Sequence, residues 1–222
     1  MAIAELAVFV RPPVRGLVKT RLQSAIGEEG AAALYRAFVD DTLDLCAQVR
    51  DAGRVEVTLW AAEIDSVVDE WGRRLDTVPI LQPDGDLGAR LGTAFERGLS
   101  RHERVVIIGS DAPTLPFSLI VAAFNALDTA PMALGPANDG GYYAIAASQG
   151  VRPRFDGVRW STPTALEDTV RANEAHRITM LPPWYDIDEP PDLAVLRAHL
   201  SARPKVAPAT ARCLAALDGP QR

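Results

Sequence analysis

Asp111 is the first residue in this chain whose surroundings suggest chemistry. It follows the apolar run Val105-Val106-Ile107-Ile108 across Gly109 and Ser110, and Pro113 closes the segment. A carboxylate just beyond the carboxyl end of a buried strand stands where open α/β sheets bind ligands, although Asp before Pro is also ordinary turn material. The stretch from Arg11 to Gln23 carries Arg11, Arg15, Lys19 and Arg21 with no acid, on a loop shaped by Pro12, Pro13 and Gly16. Guanidinium and ammonium groups this dense suit a phosphate or diphosphate, and a solvated basic loop is the plainer alternative.

Three further segments carry candidates. In Gln82-Pro-Asp-Gly-Asp-Leu-Gly-Ala-Arg90, Gly85 and Gly88 leave room for a flat group or a phosphate near a helix N-terminus, while Asp86 also reads as a helix cap. The run Asn138-Asp139-Gly140-Gly141 is a strong hairpin turn, and it also presents Asp139 beside an apolar strand, as a substrate-facing carboxylate would be. Asp186-Ile187-Asp188-Glu189-Pro190-Pro191 places Asp188 or Glu189 where a helix N-cap falls. Tyr142 and Trp160 read equally as acceptor-pocket walls or as core aromatics.

These positions need a scaffold, and the pattern supplies strands alternating with helices. Apolar runs predict strands over residues 3–10, 55–60, 78–81, 105–108, 132–135, 142–146 and 177–181. Helical spacing predicts helices over about 27–51, 63–74, 86–99, 116–127 and on to 175 from a cap at Ser161 or Thr162 with Pro163 in its first turn, then one burying Leu193, Leu196 and Leu200. Unalternated strands such as 105–108 are buried on both faces, the habit of a parallel sheet. The expectation is a three-layer α/β/α domain with a mostly parallel, Rossmann-like central sheet over residues 1–203. Pro204 and Pro208 then set off a tail, 204–222, with a short peripheral helix.

Composition narrows the class. At 222 residues and 48% hydrophobic content the chain buries a sizeable core. A net charge of -6 argues against general nucleic-acid binding, which needs a basic face, without excluding a local anion site. Cys46 and Cys213 lack metal-ligand spacing and read as helix filler in a reducing compartment, and no apolar run approaches a membrane span. A cytoplasmic protein without membrane or nucleic-acid partners is expected, with a homodimer left open. His102, His176 and His199 fall outside every loop singled out.

The ordered motifs Arg11-x-Pro-x-x-Gly-x-x-Lys19-Thr-Arg21-Leu, Gly85-Asp86-Leu-Gly88-x-Arg90, Gly109-Ser-Asp111-x-Pro, Gly135-Pro-x-x-Asp139-Gly-Gly-Tyr-Tyr, Trp160-Ser-Thr-Pro and Asp186-Ile-Asp188-x-Pro-x-Asp-Leu together span nearly the whole chain. So patterned, the sequence resembles a bacterial glycosyltransferase family of GT-A, nucleotide-diphosphosugar transferase-like fold that includes the proposed arsenosugar-pathway enzymes. It is more faintly similar to the guanylyltransferases of molybdenum-cofactor and 2-phospho-lactate metabolism. The resemblance implies a GT-A fold and a divalent cation, Mg²⁺ or Mn²⁺, held on nucleotide phosphates by Asp111 and Asp188. It also implies a nucleotide-diphosphosugar or nucleoside triphosphate partner, a small-molecule acceptor, and nucleotide contacts from Arg11, Gly16, Lys19, Arg21, Gln82, Gly85, Asp86, Gly88 and Arg90. Asp139, Lys19 and Asp111 are then the catalytic candidates, with Asp139 as base. Glycosyl transfer leads; nucleotidyl transfer, where the nucleophile is already anionic, and a nucleotide-binding protein without turnover are the alternatives.

Overall fold

The computed structural model describes residues 4–219. Its sheet has seven strands: β1 (Ala4–Val10), β2 (Val55–Ala61), β3 (Ile80–Leu81), β4 (Arg104–Ile108), β5 (Met132–Pro136), β6 (Tyr142–Ser148) and β7 (Ile178–Met180), in the order β3-β2-β1-β4-β6-β5-β7. β1 pairs in parallel with both β2 and β4, while β6 runs antiparallel to β4 and β5. Ile3, the expected start of the first strand, lies outside the described residues.

The helices are α1 (Gln23–Ala52), α2 (Ser66–Leu75), α3 (Leu87–Leu99), α4 (Phe117–Ala126), α5 (Ala165–Ala172), α6 (Pro190–Ala202) and α7 (Pro208–Leu217). Side chains alternate across the sheet, and both faces of β4 are covered. Val106 and Ile108 join a cluster with Phe38 of α1, Trp71 of α2, Ile120 of α4 and Leu196 of α6. Val105 and Ile107 join another with Leu91 and Phe95 of α3. This is the three-layer α/β/α arrangement that the apolar runs call for.

Local chemistry explains several helix starts. Asp65 caps α2 by accepting the N–H groups of Val67 and Val68, and Asp86 caps α3 by accepting that of Ala89. α1 kinks at Gly27, whose φ of +71° only glycine adopts freely, so the continuous helix begins near residue 28 as its pattern predicts. Two expectations are corrected. The 161–163 segment precedes α5 rather than capping it: Ser161 turns left-handed at φ +58°, the Thr162 hydroxyl donates to the Arg159 carbonyl, and the helix begins at Ala165. Nor is the tail helix peripheral. The buried carboxylate of Asp41 accepts the N–H groups of Ala209 and Thr210 at 2.9 and 2.8 Å, and Leu214 is buried in the core.

β1 is the switch point of the sheet, since the chain leaves it first toward β2 and β3 and later returns to its other side at β4. Ligands of such sheets bind outside the carboxyl ends of the strands at that point. There the loops after β1 and β4, the β5–β6 turn and the segment before α6 surround one cleft.

Candidate functional site

The cleft has a volume of about 940 Å³. Arg11, Lys19, Arg21, Gln82, Arg90, Asp111, Asp139 and Asp188 all line it, so tertiary folding gathers these sequence candidates into one place.

Lys19 is at its centre. Its backbone is left-handed, φ 45° and ψ 45°, a conformation costing an L-residue about 1–2 kcal/mol. The turn buries the side chain to 4% exposure and brings Nζ to 2.5 Å from Asp111 and 2.7 Å from Asp188, 5.7 Å from the centre of the Phe38 ring. Burial works against the ammonium charge, but the two carboxylates more than offset it, and the Lys19 pKa lies above its ordinary value.

This arrangement differs from the expected cation pair. Asp111 and Asp188 are bridged by the lysine, and the carboxylates that converge are Asp139, Asp186 and Asp188, with one oxygen of each inside 4.8 Å of the others. Asp186 is the acid of this cluster that the sequence reading did not single out. Its signal was present in the Asp186-Ile187-Asp188 alternation: in an extended chain residues i and i+2 share a side, and here Ile187 is fully buried while both acids line the cleft. Burial, reinforced by the charges of Asp139 and Asp188, pushes the Asp186 carboxyl up to about 7. Hydrogen bonds fix the stretch, with Ile187 N–H donating to the Asp111 carbonyl at 3.0 Å and Asp186 N–H to Asn138 Oδ1 at 3.1 Å. Three convergent carboxylates form a hard-oxygen set that suits Mg²⁺ or Mn²⁺.

Asp139 has a second duty. One of its oxygens accepts the Gly141 N–H at 2.7 Å, the Asx arrangement of a tight turn. Arg11 donates its backbone N–H to Tyr35 Oη, which lies 2.9 Å from Ser110 Oγ; burial, then the Asp111 charge, raises the phenol pKa. Gln82 is held by its amide nitrogen, which donates to the Trp60 carbonyl at 2.9 Å, leaving Oε1 to accept from Arg90 Nη1 at 3.2 Å.

Other candidates lie elsewhere. Arg15 turns away to pair with Glu28 and Glu29, and Gly16 (φ +79°) shapes the loop without lining the cleft. Gly85, Asp86 and Gly88 also lie off its wall. The space beside Gly88 is taken by the core, because a Cβ there would meet Phe155 at 2.8 Å and Trp160 at 3.2 Å. Tyr142 lines the cleft, whereas Trp160 packs edge-on against it with ring centres 6.4 Å apart.

A Rossmann-like, mostly parallel sheet with a charged cleft at its carboxyl edge is the nucleotide-diphosphosugar transferase-like fold. The crystal structure of a candidate nucleotide-diphospho-sugar transferase from Desulfovibrio desulfuricans G20 matches with a TM-score of 0.87 and 31% identity, over 98% of this chain and 96% of that one. The chain belongs to the DUF2064 family, described as "uncharacterized protein conserved in bacteria", whose model matches residues 42–162. More distant structures share the fold alone. A CMP:2-keto-3-deoxy-manno-octonic acid synthetase complexed with CTP has a TM-score of 0.57 at 13% identity, over 90% of this chain and 98% of that one. A 4-diphosphocytidyl-2C-methyl-D-erythritol synthase from Anaerococcus prevotii DSM 20548 has a TM-score of 0.56 at 11% identity, over 89% and 96%. No curated protein matches significantly. No helix among the described residues is long and apolar enough to cross a membrane.

Proposed function

We propose that this protein is a divalent-cation-dependent transferase that takes a nucleotide-diphosphosugar as donor and passes the sugar to a small acceptor. The observation that carries the reading is the meeting, in one cleft, of the first-loop cations Arg11, Lys19 and Arg21 with the carboxylates Asp139, Asp186 and Asp188. A donor diphosphate needs both: cations to neutralise charge as it departs, and hard oxygen ligands for Mg²⁺ or Mn²⁺. Bound there, the ion supplies charge neutralisation at the phosphates. Lys19 keeps Asp111 and Asp188 in place and adds positive charge; Arg11, Arg21 and Arg90 supply donors along the walls. The likeness to the Desulfovibrio protein supports a sugar-nucleotide donor, and the resemblance of the sequence motifs to those of the arsenosugar-pathway glycosyltransferases agrees with it.

One observation favours nucleotidyl transfer as a second reading. Asp139 is tied to the Gly141 N–H and to the acidic cluster, the setting of a ligand more than of a free base. A phosphate nucleophile attacking a nucleoside triphosphate requires no base, and the motifs shared with guanylyltransferases fit that chemistry.

The test is a mass-spectrometric turnover screen with Mg²⁺ or Mn²⁺ against nucleotide-diphosphosugars and nucleoside triphosphates, beside Asp186→Ala and Asp188→Ala. Free sugar with nucleoside diphosphate, lost in both variants, supports glycosyl transfer. Pyrophosphate release selects the second reading. Cation-independent turnover untouched by either substitution refutes the site.

A further inference from the structure

Asp186 and Asp188 lie on a stretch with no regular structure of its own. Between Met180 and Pro190 the chain makes only an isolated bridge, Trp184 to Ala137. Carboxylates that act together must be held to about 0.5 Å, so something beyond the local backbone has to fix them.

A chain of hydrogen bonds does so. Trp184 Nε1 donates to Thr114 Oγ1 at 3.3 Å, and Thr114, fully buried, donates its single hydroxyl proton to Tyr185 Oη at 2.8 Å. Tyr185 Oη in turn lies 2.6 Å from His199 Nδ1, a hydrogen bond that carries the link on to α6. The sequence of bonds joins the loop that carries Asp111, the stretch that carries Asp186 and helix α6. The rings pack as well, with Trp184 stacked on Tyr185 at 5.6 Å between centres and set edge-on to His199 at 6.0 Å. α6 grips the same stretch a second time, because Asp192 accepts the N–H groups of Asp188 and Glu189 at 2.9 and 2.7 Å. The two grips bracket the acidic pair.

We infer that Thr114, Tyr185 and His199 are positioning residues that hold the Asp186–Asp188 stretch in register with the Asp111 loop and so set the geometry in which the carboxylates take a divalent cation. This rests on the cation reading proposed above. None of the three lines the cleft; they act through the backbone next to Asp186.

The test is Mn²⁺ affinity, read by electron paramagnetic resonance well below the melting temperature, in wild type, Thr114→Val, Tyr185→Phe and His199→Phe. Loss of the groups that orient a ligand set typically weakens metal binding by about 10-fold or more, and that weakening is expected in each variant. Tyr185→Phe combined with His199→Phe should be no weaker than either alone, since both cut the same chain. His199→Asn, which keeps an acceptor near the Nδ1 position, should recover most of the affinity. Arg197→Ala serves as a control for helix stability, breaking the exposed Arg197–Asp218 pair that joins α6 to the end of α7, and should leave Mn²⁺ affinity unchanged. Thr114→Val, nearly isosteric with the native side chain, carries the test if the aromatic variant fails to fold. Folded variants that bind Mn²⁺ as wild type does, or a loss in Arg197→Ala as large as in Tyr185→Phe, overturn the inference alone. A wild-type protein that binds no Mn²⁺ overturns the cation reading, and this inference with it.

Discussion

Replacing Lys19 with Met keeps most of the apolar stem of the side chain while deleting the one charge that bridges Asp111 and Asp188 and lies over the Phe38 ring. Removing one partner of a buried ion pair costs about 3–5 kcal/mol, because the other is left buried and uncompensated. The side chains of Asp111 and Asp188 are 49% and 37% exposed, so water recovers part of that loss. With this discount for screening the expected cost is about 2 kcal/mol. In a domain of this size each kcal/mol lowers the melting temperature by about 2–4 °C, which gives a fall of about 4–8 °C. Mn²⁺ should then stabilise the variant more than wild type, because it competes with no ammonium and relieves repulsion among four acids. Differential scanning fluorimetry with and without Mn²⁺ reads both effects, and turnover should be lost. Lys19→Arg should not restore it, since a slot only 4% exposed suits a compact ammonium and not a planar fork. A melting temperature within about 1 °C of wild type, or a fall that Mn²⁺ does nothing to reverse, refutes the assignment of Lys19 as the bridge.

Other substitutions test the scaffold. Asp41→Ala strips two N–H acceptors from the start of α7 and should cost about 2 kcal/mol, with limited proteolysis cutting near Pro208 before the rest of the domain. Gly140→Ala combines a positive φ of +87° with a Cβ placed against the Pro163 carbonyl; overpacking and backbone strain should together cost about 3 kcal/mol, read by chemical denaturation. Burial raises the pKa of Glu5, which accepts from Thr58 and faces His102 and Glu56. The folded state therefore holds that proton more tightly than the unfolded chain, so the stability this group contributes is full below about pH 4.5 and declines as pH rises toward its folded pKa. Glu5→Gln should flatten that part of the stability-pH profile, and an unchanged slope would contradict the burial argument.

Much of the fold was legible because local rules and tertiary packing agree. Val105 to Ile108 read as a doubly covered strand, and the helices on either side leave those four residues almost without exposed surface. Asp86 announced the start of α3 because a short side chain reaches its own helix's N–H groups, a contact three residues long. The helix after Trp160 was misplaced for the opposite reason: Arg159 and Thr164 are held by the buried Asp168, and that bonding overrides the local capping preference.

The chain by itself determined much of the charged lining of the cleft: a cation-rich first loop, a carboxylate beyond β4, an Asp139 followed by two glycines, and Asp188 ahead of α6, whereas the alternation that sends Asp186 to the same side as Asp188 was present but not singled out. Those are properties of residue type and short spacing, which act within a few bonds. Which charges meet was decided only in three dimensions. Lys19 reaches Asp188 across 169 residues of sequence, and the third carboxylate of the cluster is Asp186 rather than Asp111, with the Asn138 contact holding the last loop against the β5–β6 turn and the Thr114 contact holding it against the Asp111 loop. Electrostatic interaction depends on distance through space, and burial fixes its strength, so neither could be read along the chain.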